Sequence, residues 1–280
     1  MRFRIFAVLS LAALLTIPAA ANNVFFFTTG NPDGQMATLS RVASTGKIQT
    51  ETADDFILSQ STTLNQATFI GLIPTNAPLS SISQVEIEFY HVFPKDSGPF
   101  DNRVTTRTNS PADVEIASAT RDSAAGTLSY TVTLLNPSFT AANSVVNGIN
   151  TFPNQFTGGE GAVTGQEVLI SVNFNTPVGL SADHYFFRPE ASLNSGDFLW
   201  LSAPGKQFTG DLQTWIRNDD LAPDWSRIGT DITGHAPLDA SFSLTGTVPE
   251  PSTLGLLGGG LTALAYLPRK VPRITPLGGA

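Results

Sequence analysis

From Gln84 to Phe93 the side chains alternate in character: Val85, Ile87 and Phe89 fall on one face, and Glu86, Glu88 and Tyr90 on the other. Successive Cβ atoms of an extended chain point to opposite faces, so this period of two predicts a strand with one buried and one wet face. Glu167 to Asn175 repeats the pattern, with Val168, Ile170, Val172 and Phe174 inward and Ser171 and Asn173 outward. No long stretch follows the 3.6-residue period of a helix. The remaining apolar residues fall in short runs between Gly, Pro, Asn and Ser, which predicts an all-β chain.

Further strands are expected at 23–28, 55–59, 66–73, 184–188, 197–202, 214–217, 226–229 and 240–245. A hairpin of 113–119 with 128–135 is expected, turned by 122–126. Residues 95–110 and 136–165 read as two long loops. This gives about ten to twelve strands. No internal repeat is apparent, which leaves a single jelly-roll-like β-sandwich with loops at its ends.

Both ends of the chain read as addresses rather than as parts of that fold. Arg2 and Arg4 precede an apolar run, Ile5 to Ile17, and Ala19 and Ala21 form a small-x-small cleavage site. That order is a signal peptide over 1–21. At the other end, Val248-Pro249-Glu250-Pro251-Ser252-Thr253 is followed by the uncharged run Leu254 to Leu267 and then by Arg269, Lys270 and Arg273. The prolines fix φ and remove donors, so this segment is extended and suits a protease cleft. As a helix the apolar run is about 21 Å long, against about 30 Å for a bilayer core. It reads as a short transmembrane sorting helix that holds the chain briefly, with the basic residues on the cytoplasmic side. The expected layout is a signal peptide over 1–21, a sandwich over 22–247, the sorting segment over 248–273 and a short tail over 274–280.

The motif Val248 to Thr253, with the apolar and basic parts behind it, resembles the PEP-CTERM sorting signal of Gram-negative bacteria. The resemblance implies that the chain is a substrate of an exosortase, a membrane transpeptidase that cuts near the motif. It further implies a product released to, or attached at, the cell surface, often beside exopolysaccharide. Ala53-Asp54-Asp55-Phe56 is similar to the opening of secreted β-sandwich modules in such proteins. Tyr185 to Glu190, Asp197 to Ser202 and Ala222 to Gly229 are similar to their later parts. Some ice-binding proteins carry the same kind of C-terminal segment. A flat ice face needs a regular Thr array, however, and Thr105-Thr106-Arg107-Thr108 is only a short cluster.

Between the two addressing segments the body has ten Lys and Arg against 22 Asp and Glu, a net charge of −12. Such a body repels phosphate backbones, so nucleic acid is not an expected partner. Cysteine is absent, so no disulfide and no thiolate zinc site supports the fold. The segment 211–231 is rich in Asp and holds Trp215 and Trp225. Two readings stand there. Exposed indole faces at Trp215 and Trp225 would suit sugar rings, and carboxylates at Asp219, Asp220 and Asp224 would suit Ca²⁺, as would the separate pair Asp54-Asp55 at the start of a strand. The plainer reading puts the tryptophans in the core and the aspartates at turns, since no EF-hand spacing occurs and Asp is common in turns. His91, His184 and His235 lie on distant segments without HExxH spacing, and no nucleophile elbow is present.

The sequence therefore leads to an exported, exosortase-sorted surface or matrix protein, non-enzymatic and without a cofactor unless calcium binds. Its expected partners are exosortase, the membrane transiently, and extracellular polysaccharide. A carbohydrate-binding module is the alternative, and a glycan-active enzyme the more distant one.

Overall fold

In the computed structural model, residues 23–98, 107–149, 155–205 and 213–249 are described. Among them the strands run β1 (Asn23–Thr28), β2 (Met36–Leu39), β3 (Thr50–Leu58), β4 (Thr62–Ile73), β5 (Ile82–His91), β6 (Arg121–Asp122), β7 (Leu128–Ala141), β8 (Asn143–Val145), β9 (Val163–Leu180), β10 (Asp183–Leu193), β11 (Leu199–Ala203), β12 (Trp215–Asn218), β13 (Ser226–Arg227), β14 (Asp239–Ala240) and β15 (Phe242–Val248).

They form two sheets. In the nine-stranded sheet β4 is the spine. It pairs with β9 along one edge, from Thr62 opposite Leu180 to Ile73 opposite Gln166. Its other edge takes β15 and then β11. β7 lies outside β9, β1 outside β15, and β2 and β8 beyond β11. The second sheet has the order β13-β12-β3-β10-β5-β6. Strand by strand, alternation turns one set of side chains toward the space between the sheets. Phe56, Val85, Ile87, Phe89 and Phe187 come from the smaller sheet, and Phe69, Val168, Ile170, Val172, Trp200, Phe242 and Leu244 from the larger, all within one buried cluster. Ring pairs such as Phe187 on Phe242, 5.0 Å between centroids, join the layers. The result is an all-β two-sheet sandwich, as the alternation of apolar residues predicted.

One close approach fixes the junction of β4 with β11. A Cβ on Gly71 would stand 2.3 Å from the Phe198 ring and 2.5 Å from the Leu199 carbonyl oxygen, so only glycine fits there.

Several local expectations are corrected. Residues 113–119 do not form a hairpin with 128–135: β7 pairs with β9, and 113–119 runs along the edge of β5, where Ile116 donates to Phe89 and packs with Ala119 against the main core. The loop expected over 136–165 contains the end of β7, all of β8 and the start of β9. Asn136 and Pro137 sit where the β7–β9 register shifts, so the strand bulges and continues where the sequence reads as a stop. The face of β5 expected to be wet is covered, with Glu88 and Tyr90 both buried. Strand β2, with all four residues buried, was not anticipated. Among the described residues no helix is long and apolar enough to cross a membrane. The expected sorting helix lies outside the described residues.

Candidate functional site

The outer face of the smaller sheet carries the densest polar chemistry among the described residues. Its strands place like-facing residues side by side: Arg188 on β10 lies opposite Glu88 on β5, Glu190 opposite Glu86, and Arg217 on β12 opposite Glu51 on β3. Directly paired residues share a face, so two arginines and four glutamates meet there with Tyr90. Arg188 is 1% exposed. It contacts Glu88, and it reaches Glu190 at 2.5 Å, Glu51 at 3.4 Å and Glu86 at 3.5 Å. Arg217 pairs with Glu51 and donates to the carbonyls of Asp113 and Pro223 at 3.0 and 3.3 Å. The Tyr90 hydroxyl lies 2.6 Å from Glu88 and 2.9 Å from Glu51, with its one proton available to either, and accepts from Arg217 Nη2 at 3.1 Å.

Two segments roof this layer. Arg107 pairs with Asp113 and with Asp224, the latter at 3.0 Å, and lies 4.6 Å over the Phe93 ring. Trp225 donates from Nε1 to the Ala112 carbonyl at 3.1 Å and stacks under the Arg217 guanidinium at 4.3 Å. Trp215 and Trp225 join Ala53, Tyr90 and Phe186 in a second buried cluster on this face. Between the roof segments a cavity of about 390 Å³ opens. Arg188, Arg217, Glu51, Glu88 and Tyr90 make its floor. Gln49, Asp113, Glu115, Asp219, Ala222 and Pro223 make its walls.

Burial and charge set the protonation of the floor. Burial alone would raise the Glu51 carboxyl, but Arg188 and Arg217 outweigh it and hold Glu51 below the usual carboxylate range. Glu190 has no such surplus of cation. Burial pushes it up to about 8, since Arg188 offsets burial only in part and Glu51, Glu86 and Glu88 oppose its charge. Burial likewise raises Glu86 to about 7. Arg188 stays charged because the carboxylates around it more than offset its burial.

A second acidic group lies where β3 meets β14. Asp54, Asp55 and Asp239 bring ligand oxygens within 4.8 Å of one another, all three buried. Asp54 accepts from Thr214 Oγ1 at 3.2 Å and from the Ala240 amide at 2.8 Å, and Asp55 meets His184 Nε2 at 2.8 Å. Burial, then Asp239 and Asp55, push the Asp54 carboxyl well above the usual range. Three hard oxygens suit Ca²⁺ by type. The existing partners of Asp54 and Asp55 suit a structural brace equally.

The predicted site residues thus part company. Asp54 and Asp55 come together with Asp239, which the sequence reading missed because it lies 184 positions from Asp55. Asp219 instead accepts from the Gln49 amide at 3.1 Å, and Asp224 is buried against Arg107. Asp220 is exposed. Trp215 and Trp225 are 0% and 1% exposed, which corrects the reading of them as sugar platforms: neither indole offers a face to solvent. Their rings are large enough to fill the second core, and burial there gains more than exposure. The three histidines do not converge: His91 meets Asp96, His184 meets Asp55, and His235 is exposed. The Gly158-Gly159-Glu160-Gly161 loop bends back so that Glu160 itself accepts from the amides of Val146, Asn147 and Gly148 at 2.7 to 2.9 Å.

At the end of β15 the paired strand stops at Val248, and Pro249 is the last described residue of this segment. Glu250 to Thr253, Arg269, Lys270, Arg273, Ala19 and Ala21 lie outside the described residues. The family model of the PEP-CTERM protein-sorting motif matches residues 247–270. The chain carries a PEP-CTERM sorting signal. The match begins within the last two residues of β15 and takes in Arg269 and Lys270, with Arg273 just beyond it. A PEP-CTERM signal marks an exported protein and makes an exosortase its processing partner. Comparison with curated proteins and with solved structures finds no match.

Proposed function

We propose that the sandwich is a non-enzymatic surface or extracellular-matrix protein, delivered by exosortase and held beside the exopolysaccharide of a Gram-negative bacterium. The observation that carries this reading is the position of the PEP-CTERM signal. It starts where β15 ends, so a cut at or after Pro249 removes the address and leaves every described strand in place. On the floor of the outer-face cavity Glu51 and Glu88 are committed to Arg188, Arg217 and Tyr90, so neither of these two is free to act as an acid or base on a substrate. The carbohydrate-binding alternative loses its tryptophan platform and keeps no other observation specific to sugar stacking.

The test is expression of the full chain in an exosortase-bearing Gram-negative host and in the same host without that gene. With exosortase, mass spectrometry should find a chain ending near the motif in the surface or medium fraction. Without it, the intact tail should remain with the inner membrane. Identical fractions and intact ends in both strains would remove the sorting reading. Equal release from a strain lacking exopolysaccharide would remove the matrix part alone.

A further inference from the structure

We propose that the cavity on the outer face of the smaller sheet binds a small organic ligand through a protonated amine. The argument rests on which hydrogen-bonding groups are still free. The strong donors on the floor all face internal carboxylates or carbonyls, with Arg188 Nε and Nη1 held as ion pairs rather than as aligned hydrogen bonds. Arg188 is surrounded by Glu51, Glu86, Glu88 and Glu190. Arg217 is held by Glu51 and two backbone carbonyls. The Tyr90 hydroxyl is directed at Glu88 and Glu51. The walls are the reverse. Among the described residues Glu115 has no side-chain hydrogen-bond or ion-pair partner, and Asp219 uses only Oδ2, for the Gln49 amide. Gln49 turns its side-chain nitrogen to Glu190, which leaves its side-chain oxygen open.

The cavity therefore offers acceptors and asks for donors. Its lining holds five acids, Glu51, Glu88, Asp113, Glu115 and Asp219; Arg188 and Arg217 offset two of them and Arg107, paired with Asp113, a third, which leaves a surplus of two negative charges. An anionic ligand is repelled by that surplus, and a cationic one is drawn to it. A bare metal ion fits less well. Among the described residues the acids close enough to share one ion are Asp54, Asp55 and Asp239, none of which lines this cavity. Acceptors spread around a space of about 390 Å³ suit a charged nitrogen on a carbon frame, and Ala222 and Pro223 give that frame an apolar wall. An amino sugar and a linear diamine share this chemistry.

Calorimetric titration of the full chain in mild detergent decides the matter, with glucosamine, 1,4-diaminobutane, glucose and glucuronate as probes. At low salt an amine should bind at least about tenfold more tightly than glucose or glucuronate, and added salt should weaken it. Glu115→Gln and Asp219→Asn should each weaken the amine about three- to tenfold. Neither side chain is fully buried, so both variants should keep the wild-type melting temperature. Tighter binding of glucosamine identifies a hydroxylated ring as the frame, and tighter binding of the diamine a linear one. No amine binding up to about 10 mM, glucose binding as well as glucosamine, or variants of unchanged affinity would each overturn the assignment. Exosortase processing does not enter this measurement, so its failure would leave the sorting reading standing.

Discussion

Arg188 is the residue on which the outer face depends. Its guanidinium touches four glutamates in a site almost closed to water. Removing one partner of a buried ion pair leaves the others desolvated and uncompensated, at a cost of about 3–5 kcal/mol. Arg188→Ala should therefore lower the free energy of unfolding by about that amount in urea titration. Glu190 gives a complementary prediction. Its folded pKa of about 8 lies above the ordinary glutamate value of 4.5. Between those values the folded chain holds a proton that the unfolded chain releases, so this group's contribution is complete below about 4.5 and falls as pH rises toward 8. Glu86, raised to about 7, acts in the same direction. Melting curves from pH 5 to 8 should show Glu190→Gln gaining on the wild type as pH increases. A constant difference across that range would contradict the assigned protonation.

At the level of strands, the sequence was most legible where one face is apolar. Val168, Ile170, Val172 and Phe174 on β9, and Val85, Ile87 and Phe89 on β5, face the main core as alternation required. What it concealed was the opposite face of β5. Glu86, Glu88 and Tyr90 look like a solvated surface because charge is normally left in water. Only Arg188 and Arg217, from strands that follow about a hundred residues or more later, offset the burial of Glu88 and Tyr90. No local pattern announces partners at that separation, so the candidate cavity could not be read from sequence. The same distance hid Asp239 from Asp54 and Asp55. The tryptophans left two readings open, since an indole among aspartates reads the same whether the roof above it is present or absent; their burial agrees with the plainer one. The boundary expected at 247 lies one residue before the end of β15 at Val248, and Thr247 is paired with Thr63. A chain ending at Val248 should melt like the processed protein. A chain ending at Ser241 lacks β15 and should show no cooperative thermal transition, since β1 and one edge of β4 lose their partner. Circular dichroism melts of both distinguish these outcomes.

Across the molecule the sheet is knit from segments far apart in the chain. β1, the first strand, has β15, the last, as its partner, and β15 itself lies between β1 and β4. Such pairings carry a high loop-closure cost and fold slowly. They also set an order of events during export. Until the residues of β15 have crossed the membrane, β1 has nothing to pair with, and its Phe25 and Phe27 lack the neighbours that complete their packing. The PEP-CTERM signal follows β15 with no intervening linker. The moment at which the tail arrives in the translocation channel is thus the moment at which the sandwich first can close. A cut made beyond Val248 would therefore set free a shell whose first and last strands can already be joined, rather than an open half.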